Sequence, residues 1–170
     1  VTHLKIYASV LLDLVKSADV QRQDFSGVVE IATGAATTSK EVKLLVKTKL
    51  GVQRLIEIYG LTEVFPVTTF DATLSKLGSV GFLLPNVILK VEDIETQKKL
   101  GANKTGEIIV KGPQLAKGYY KNPEATKKLF DDEGWLKTGD IGYFDEDGNI
   151  YITDRLKDVI KTGGIQVKIL

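Results

Sequence analysis

Tyr59-Gly60-Leu61-Thr62-Glu63, Thr138-Gly139-Asp140 and Asp154-Arg155-Leu156-Lys157 hold the residue types best suited to chemistry in this chain of 170 residues. Tyr59 offers an aromatic face on which a purine can stack. The Thr62 hydroxyl can donate to a phosphate oxygen, and Glu63 is a hard carboxylate of the kind Mg²⁺ takes together with substrate phosphates. Asp140 follows Gly134-Trp135-Leu136-Lys137. Its carboxylate can accept two hydrogen bonds side by side, as two ribose hydroxyls would offer, each charge-assisted bond being worth about 1.5–3 kcal/mol. In each block a tight, glycine-punctuated turn is expected, where a ligand can approach the backbone. Gly34-Ala35-Ala36 adds small side chains against which a flat ring could lie; a plain strand-to-helix bend is the simpler reading of those residues alone. Taken singly, Tyr59–Glu63 also reads as a surface loop with an exposed acid. Asp154-Arg155 also reads as a surface ion pair, worth little.

The elements that must position these groups follow from periodicity. Ala8 to Ser17 is expected to be a helix with Val10, Leu11, Leu14 and Val15 on its inner face. Val28 to Ala32 is β-branched and short, as suits a buried strand. Ser39 is placed to cap a helix running to about Leu50, with Val42, Leu45, Val46 and Leu50 inward. Val52 to Ile58 is the next expected strand. Strand–helix–strand alternation predicts the end of a parallel α/β sheet over residues 1–70, with ligands beyond the carboxyl ends of its strands. From residue 71 to 153 the pattern is of short strands, among them Val87 to Glu92 and Glu107 to Val110. They predict a small β-barrel-like subdomain. Asn122-Pro123-Glu124 places Pro at the first position of one short helix ending near Phe130. Asp145-Glu146-Asp147-Gly148 predicts a hairpin turn. A further boundary falls at Asp154–Lys157, leaving residues 154–170 as a hinge and the start of another domain.

Composition narrows the classes. Hydrophobic residues make up 43% and charged residues 26%, as in globular domains. A net charge of +1 gives no electrostatic case for nucleic acid or an anionic membrane surface. No apolar run approaches the roughly 20 residues that span a bilayer. With no cysteine and His3 the sole histidine, a zinc site, a disulfide or a Cys–His nucleophile is implausible. Asp131-Asp132-Glu133 reads as a solvated turn. The chain starts at Val1 and contains no methionine, so an excerpt or a trimmed product is expected.

Together, and in this order, the blocks resemble the adenylate-forming enzymes: the superfamily of acyl-CoA and 4-coumarate–CoA ligases and beetle luciferases. The resemblance runs from about Val1 to Val167. Lys117-Gly118-Tyr119-Tyr120 followed by Asn122-Pro123-Glu124-Ala125-Thr126 is characteristic of the same family and reads as structural. The resemblance implies Gly34, Ala35, Ala36 and Tyr59 beside adenine, with Gly60 permitting the turn. It implies Thr62 on the phosphates, Glu63 on the metal, Asp140 on the ribose, and Arg155 on the ribose or α-phosphate. Lys157 would be the hinge, and Lys161, in Lys161-Thr162-Gly163-Gly164, a basic catalytic position. Thr37 stands where the family usually has proline. Leu61, where nonribosomal adenylation domains usually carry proline, favours the ligase and luciferase side.

The implied function is a fragment of an ATP-dependent carboxylate–CoA ligase, using ATP or AMP, Mg²⁺ and coenzyme A on a fatty or aromatic carboxylic acid. A luciferase-type monooxygenase and a non-catalytic nucleotide-binding fragment are the alternatives. The family's phosphate loop is expected upstream and its lysine-bearing C-terminal domain downstream, so the segment alone is expected to turn over little. Cytoplasm or peroxisome is the expected location, although Lys168-Ile169-Leu170 matches a Ser-Lys-Leu-type signal poorly.

Overall fold

A computed structural model describes residues 1–162 and 165–168, with side chains described through Asp158. Strands β1 (His3–Tyr7), β2 (Glu30–Gly34), β3 (Arg54–Leu61), β4 (Val64–Asp71) and β5 (Phe82–Leu83) form one sheet in that order. Its first three strands are parallel, and β4 and β5 are antiparallel additions. The second sheet runs β10 (Ile150–Arg155), β9 (Leu136–Phe144), β8 (Gly106–Lys111), β6 (Ile88–Glu92), β7 (Lys99–Leu100). All its pairings are antiparallel and it stays open rather than closing into a barrel. A small hairpin, β11 (Val159–Thr162) with β12 (Ile165–Lys168), follows.

Helices α1 (Ala8–Lys16) and α2 (Lys40–Leu45) serve the parallel strands. Leu4, Ile31 and Leu55 stand level across β1, β2 and β3. With Leu11, Val15, Val42, Val46, Leu50 and Val52 they form the first core. Each of these that is fully buried contributes about 1.5–3 kcal/mol; Leu4 is half-buried at the edge of the cluster. Ser39 caps α2 as its sequence predicts, its Oγ accepting from Val42 N at 3.3 Å. The helix then widens into a π-turn, Val46–Leu50, ended by Gly51 at φ 75°. α1 corrects its predicted face: Val10 is 43% exposed, and Leu12 packs inward with Leu11 and Val15.

Several predicted boundaries also move. The strand expected from Val28 begins at Glu30, and the one expected to end at Ile58 runs on to Leu61. Tyr59 and Gly60 therefore lie inside a strand, in a hairpin whose turn is Thr62-Glu63. β1 and β4 went unpredicted because β1 is of mixed polarity and β4 carries Pro66, a residue strands rarely hold. α3 (Pro123–Leu129) starts where Pro123 predicts, with Asn122 Oδ1 accepting from Ala125 N at 3.0 Å.

The second core lies between the sheets. Val64 and Val67 of β4 meet Val91, Ile108, Val110 and Leu136 of the antiparallel sheet. Backbone bonds stitch the seam: Val80 N donates to Ile150 O and Ile150 N to Gly81 O, each at 2.8 Å. At its other end Val64 bridges Leu115, and Gln114 Nε2 donates to Pro66 O at 2.9 Å.

Candidate active site

Two backbone irregularities, one in each sheet, face each other across this seam. The pairing of β3 with β4 shifts between Tyr59 and Leu61, where β4 bulges and three of its residues, Phe65 to Val67, face Gly60 alone. In β9 the pairing with β8 shifts across Thr138-Gly139-Asp140. Gly139 there has φ 68°, a conformation glycine adopts without strain. Its amide donates to Glu107 Oε1, and Thr138 Oγ1 donates to Ile108 O at 2.7 Å while accepting from Asp140 N at 3.0 Å. Thr-Gly-Asp is thus a bulge inside a strand, where a turn was expected, and it takes Asp140 out of the pairing with β8.

Asp140 is 1% exposed, yet its two oxygens are engaged by residues far away in sequence. Tyr59 Oη donates to Oδ2 at 2.6 Å, and Arg155 Nε stands 2.7 Å from Oδ1. Arg155 reaches it because a third bulge, between Ile152 and Asp154 of β10, places Arg155 directly opposite Asp140. Burial raises the Asp140 carboxyl above the ordinary aspartate range, against the opposing pull of Tyr59 and Arg155. Burial also raises the Tyr59 phenol, with the Asp140 charge adding to it, so Tyr59 keeps the proton it donates to Asp140. An ionised carboxylate has about four lone-pair sites, so two remain for hydroxyls of a ligand.

These groups line a cleft of about 330 Å³ with Ala35, Ala36 and Thr37 on one wall and Val80 on another. Beside it runs a wider groove of about 1010 Å³, bordered by Gly34, Thr62, Glu63, Phe65 and Arg155. The structure therefore brings together Gly34, Ala35, Ala36, Tyr59, Gly60, Thr62, Glu63, Asp140 and Arg155 along one continuous depression. Lys157 sits exposed in a 3₁₀ turn, Leu156–Asp158, just outside it. The Lys161 side chain lies outside the described residues.

Glu63 shows what sequence reasoning missed. Tyr119 Oη donates to Glu63 Oε1, and Ala116 N donates to Glu63 O at 2.7 Å. The Lys117–Tyr120 segment, read as purely structural, thus holds the proposed metal ligand in place. Mg²⁺ needs few protein carboxylates when phosphates supply the rest, a demand that a single carboxylate such as Glu63 would meet. Among the described residues no group of three or more His, Cys, Asp or Glu converges, so the site fits a phosphate-shared ion rather than an all-protein cage. The separation of 56 residues hid the Tyr119–Glu63 pair.

Ala35 has φ 70°, left-handed in a residue with a Cβ. Such a conformation costs about 1–2 kcal/mol, and glycine's extra chain entropy offsets part of any relief. Ala35→Gly is expected to raise the melting temperature by roughly 1–4 °C, read by circular dichroism. A fall would show that the Ala35 methyl is packed rather than strained.

The profile of the AMP-binding enzyme family matches residues 1–120. The chain is 47% identical over 159 residues to a luciferin 4-monooxygenase of Nipponoluciola cruciata, covering 91% of this chain and 28% of that protein. It is 42% identical over 164 residues to 4-coumarate-CoA ligase 1 of Narcissus pseudonarcissus, covering 93% and 30%. Among solved structures, ATP-bound MatB from Rhodopseudomonas palustris superposes with a TM-score of 0.89 at 34% identity, over 98% of this chain and 33% of that one. The O-succinylbenzoate coenzyme A synthetase of Bacillus subtilis, in complex with ATP and magnesium ion, gives 0.80 at 30% identity, over 99% and 34%. The chain spans about a third of the length of these relatives.

Proposed function

Because the chain belongs to the AMP-binding enzyme family, we propose that it is the nucleotide-binding part of an ATP-dependent carboxylate–CoA ligase. The observation that carries this reading is the Tyr59–Asp140–Arg155 constellation, three groups drawn together from three strands beside breaks in pairing register, at the mouth of a cleft. In the proposed reaction a carboxylate oxygen attacks the α-phosphorus of ATP and pyrophosphate leaves. The CoA thiolate then attacks the acyl carbon of the adenylate and AMP leaves.

In this arrangement Tyr59 stacks on the base and Asp140 accepts from the ribose hydroxyls. Arg155, held beside Asp140, turns its remaining guanidinium donors toward the ribose or the α-phosphate. The Thr62 hydroxyl donates to phosphate oxygens, and Glu63 would hold Mg²⁺, which neutralises phosphate charge when bound. The groove beside Gly34 and Phe65 receives a fatty or aromatic acid.

The test is titration of the chain with ATP in the presence of Mg²⁺, followed by calorimetry, with GTP as control. Saturable ATP binding displaced by AMP is the expected result. Failure of ATP to bind at millimolar concentration overturns the reading. The 47% identity to a luciferin 4-monooxygenase favours a second fate for the adenylate, oxygenation in place of thioester formation. Incubation with ATP, CoA, oxygen and a panel of cinnamates, fatty acids and a luciferin carboxylate separates the two. Acyl-CoA supports the ligase, and light emission that needs oxygen supports the monooxygenase.

A further inference from the structure

Glu57 occupies a position the strand pattern assigns to the core. It follows Leu55 on the inner face of β3, stands opposite Thr33 of β2 and is 1% exposed. Lys43 of α2 meets it there, with Nζ 2.6 Å from Glu57 Oε2. Both side chains are almost wholly buried, at 1% and 2% exposure. Burial lowers the lysine and raises the glutamate, and each charge steadies the other against that shift.

Such a pair is poor evidence for stability, since two well-packed apolar residues usually do as well. This one also leaves polar atoms unsatisfied. Thr33 Oγ1 and Thr38 Oγ1 are buried without a hydrogen-bond partner, and Glu57 Oε2 takes no aligned hydrogen bond beyond its ionic contact. A core built for stability alone would not keep such groups.

What the pair does hold is visible in its other contacts. Glu57 Oε1 accepts from Thr38 N at 2.8 Å, fixing the Ala35–Thr38 turn that forms one wall of the cleft. Lys43 Nζ donates to Ser79 O at 2.7 Å, fixing the segment that carries Val80, another wall. The same ammonium lies 3.8 Å from the centre of the Phe70 ring, a cation–π contact that completes its surroundings. Glu57 itself is two residues from Tyr59 on one strand.

We propose that Lys43 and Glu57 are a positioning pair for nucleotide binding: together they set the distance between the two walls and the strand that carries Tyr59. The proposal rests on the nucleotide reading above. Glu57 borders the cleft itself, whereas Lys43 acts from behind it through Glu57 and Ser79.

The test uses the whole chain and two double variants. Lys43→Met/Glu57→Leu removes both charges and both ties while keeping the volume apolar. Loss of the ion pair itself is near neutral, but Thr38 N and Ser79 O lose their partners, so a fall in melting temperature of roughly 5–15 °C is expected. Lys43→Met/Glu57→Gln is also neutral, but its amide oxygen can still accept from Thr38 N. Hydrogen exchange without nucleotide is the first readout. In Lys43→Met/Glu57→Leu the amides of residues 35–38 and 79–80 are expected to exchange at least tenfold faster, with the rest of the sheet unchanged. In Lys43→Met/Glu57→Gln only residues 79–80 should loosen. ATP affinity is the second readout, with a tenfold or greater loss expected in the leucine double variant and a smaller one in the glutamine. Parental exchange at both segments in the leucine variant overturns the proposal, as does parental ATP affinity. If the leucine variant does not fold, the glutamine variant decides, since parental exchange at residues 79–80 in it overturns the proposal equally. If the parent itself fails to bind ATP, the nucleotide reading falls, while the exchange pattern still decides whether the pair positions the walls.

Discussion

Asp140→Ala is expected to weaken ATP binding by about a hundredfold or more. Two charge-assisted hydrogen bonds to ribose hydroxyls, at about 1.5–3 kcal/mol each, amount to at least two decades of affinity. The change also strands two protein groups, because Tyr59 Oη loses its acceptor and Arg155 its counter-charge. Asp140→Asn separates these effects, for it keeps an acceptor for Tyr59 but removes the charge. Calorimetry with adenosine, which carries no phosphate to titrate, isolates the ribose contact.

The same residue sets a pH dependence. Burial raises its carboxyl above the ordinary aspartate range, so the folded chain holds that proton more tightly than the unfolded one. Adenosine affinity is therefore expected to fall on acidification with a midpoint above the ordinary aspartate range, and Asp140→Asn should show no such leg. For stability the sign is opposite. A raised acid contributes its full stabilisation below the unfolded pKa and loses it as pH rises through the folded pKa. Asp140→Asn should remove that decline. A midpoint within the ordinary range would show that the carboxylate is well solvated.

Gly81→Ala is the second large effect. Gly81 has φ 87°, and a Cβ there would lie 1.9 Å from Thr69 O and 2.5 Å from Phe70 Cα, backbone atoms that cannot swing aside. Strain and overpacking together are expected to cost about 2–5 kcal/mol. For a chain of this size that is a fall in melting temperature of roughly 5–20 °C. Gly78 supplies the control, with φ 95° and no atom within 4 Å of a built Cβ. Gly78→Ala should show the conformational strain alone, about 1–2 kcal/mol. Urea denaturation of both reads the difference. Equal losses would mean that the approach of Gly81 to β4 is not tight.

The legible parts of this chain were those governed by neighbours in sequence. Ser39 and Pro123 announced their helices, because a cap needs only a side-chain oxygen and an amide three residues on, and a helix-opening proline only its own fixed φ. The Asp145–Gly148 turn was equally local, and Asp145 Oδ1 accepts from Asp147 N and Asn149 N. The family resemblance named the residues of the depression without giving their geometry. That geometry depends on three bulges, and a bulge is a relation between two strands that no single segment records.

Lys43 stood outside every expectation drawn from the sequence. It lies between Val42 and Leu44, yet Lys43 is buried and Leu44 is 42% exposed. Only the glutamate waiting on β3, 14 positions along the chain, makes that orientation sensible.

The seam at Gly81 and Ile150 has a thermodynamic corollary. Tyr59 belongs to one sheet, Asp140 and Arg155 to the other, and the cleft crosses the line where the two are stitched. A ligand seated there is a removable crosslink. Each tenfold excess of ligand over its dissociation constant adds about 1.4 kcal/mol against any opening that parts the sheets. Work spent loosening the stitches is, by the same linkage, subtracted from the affinity.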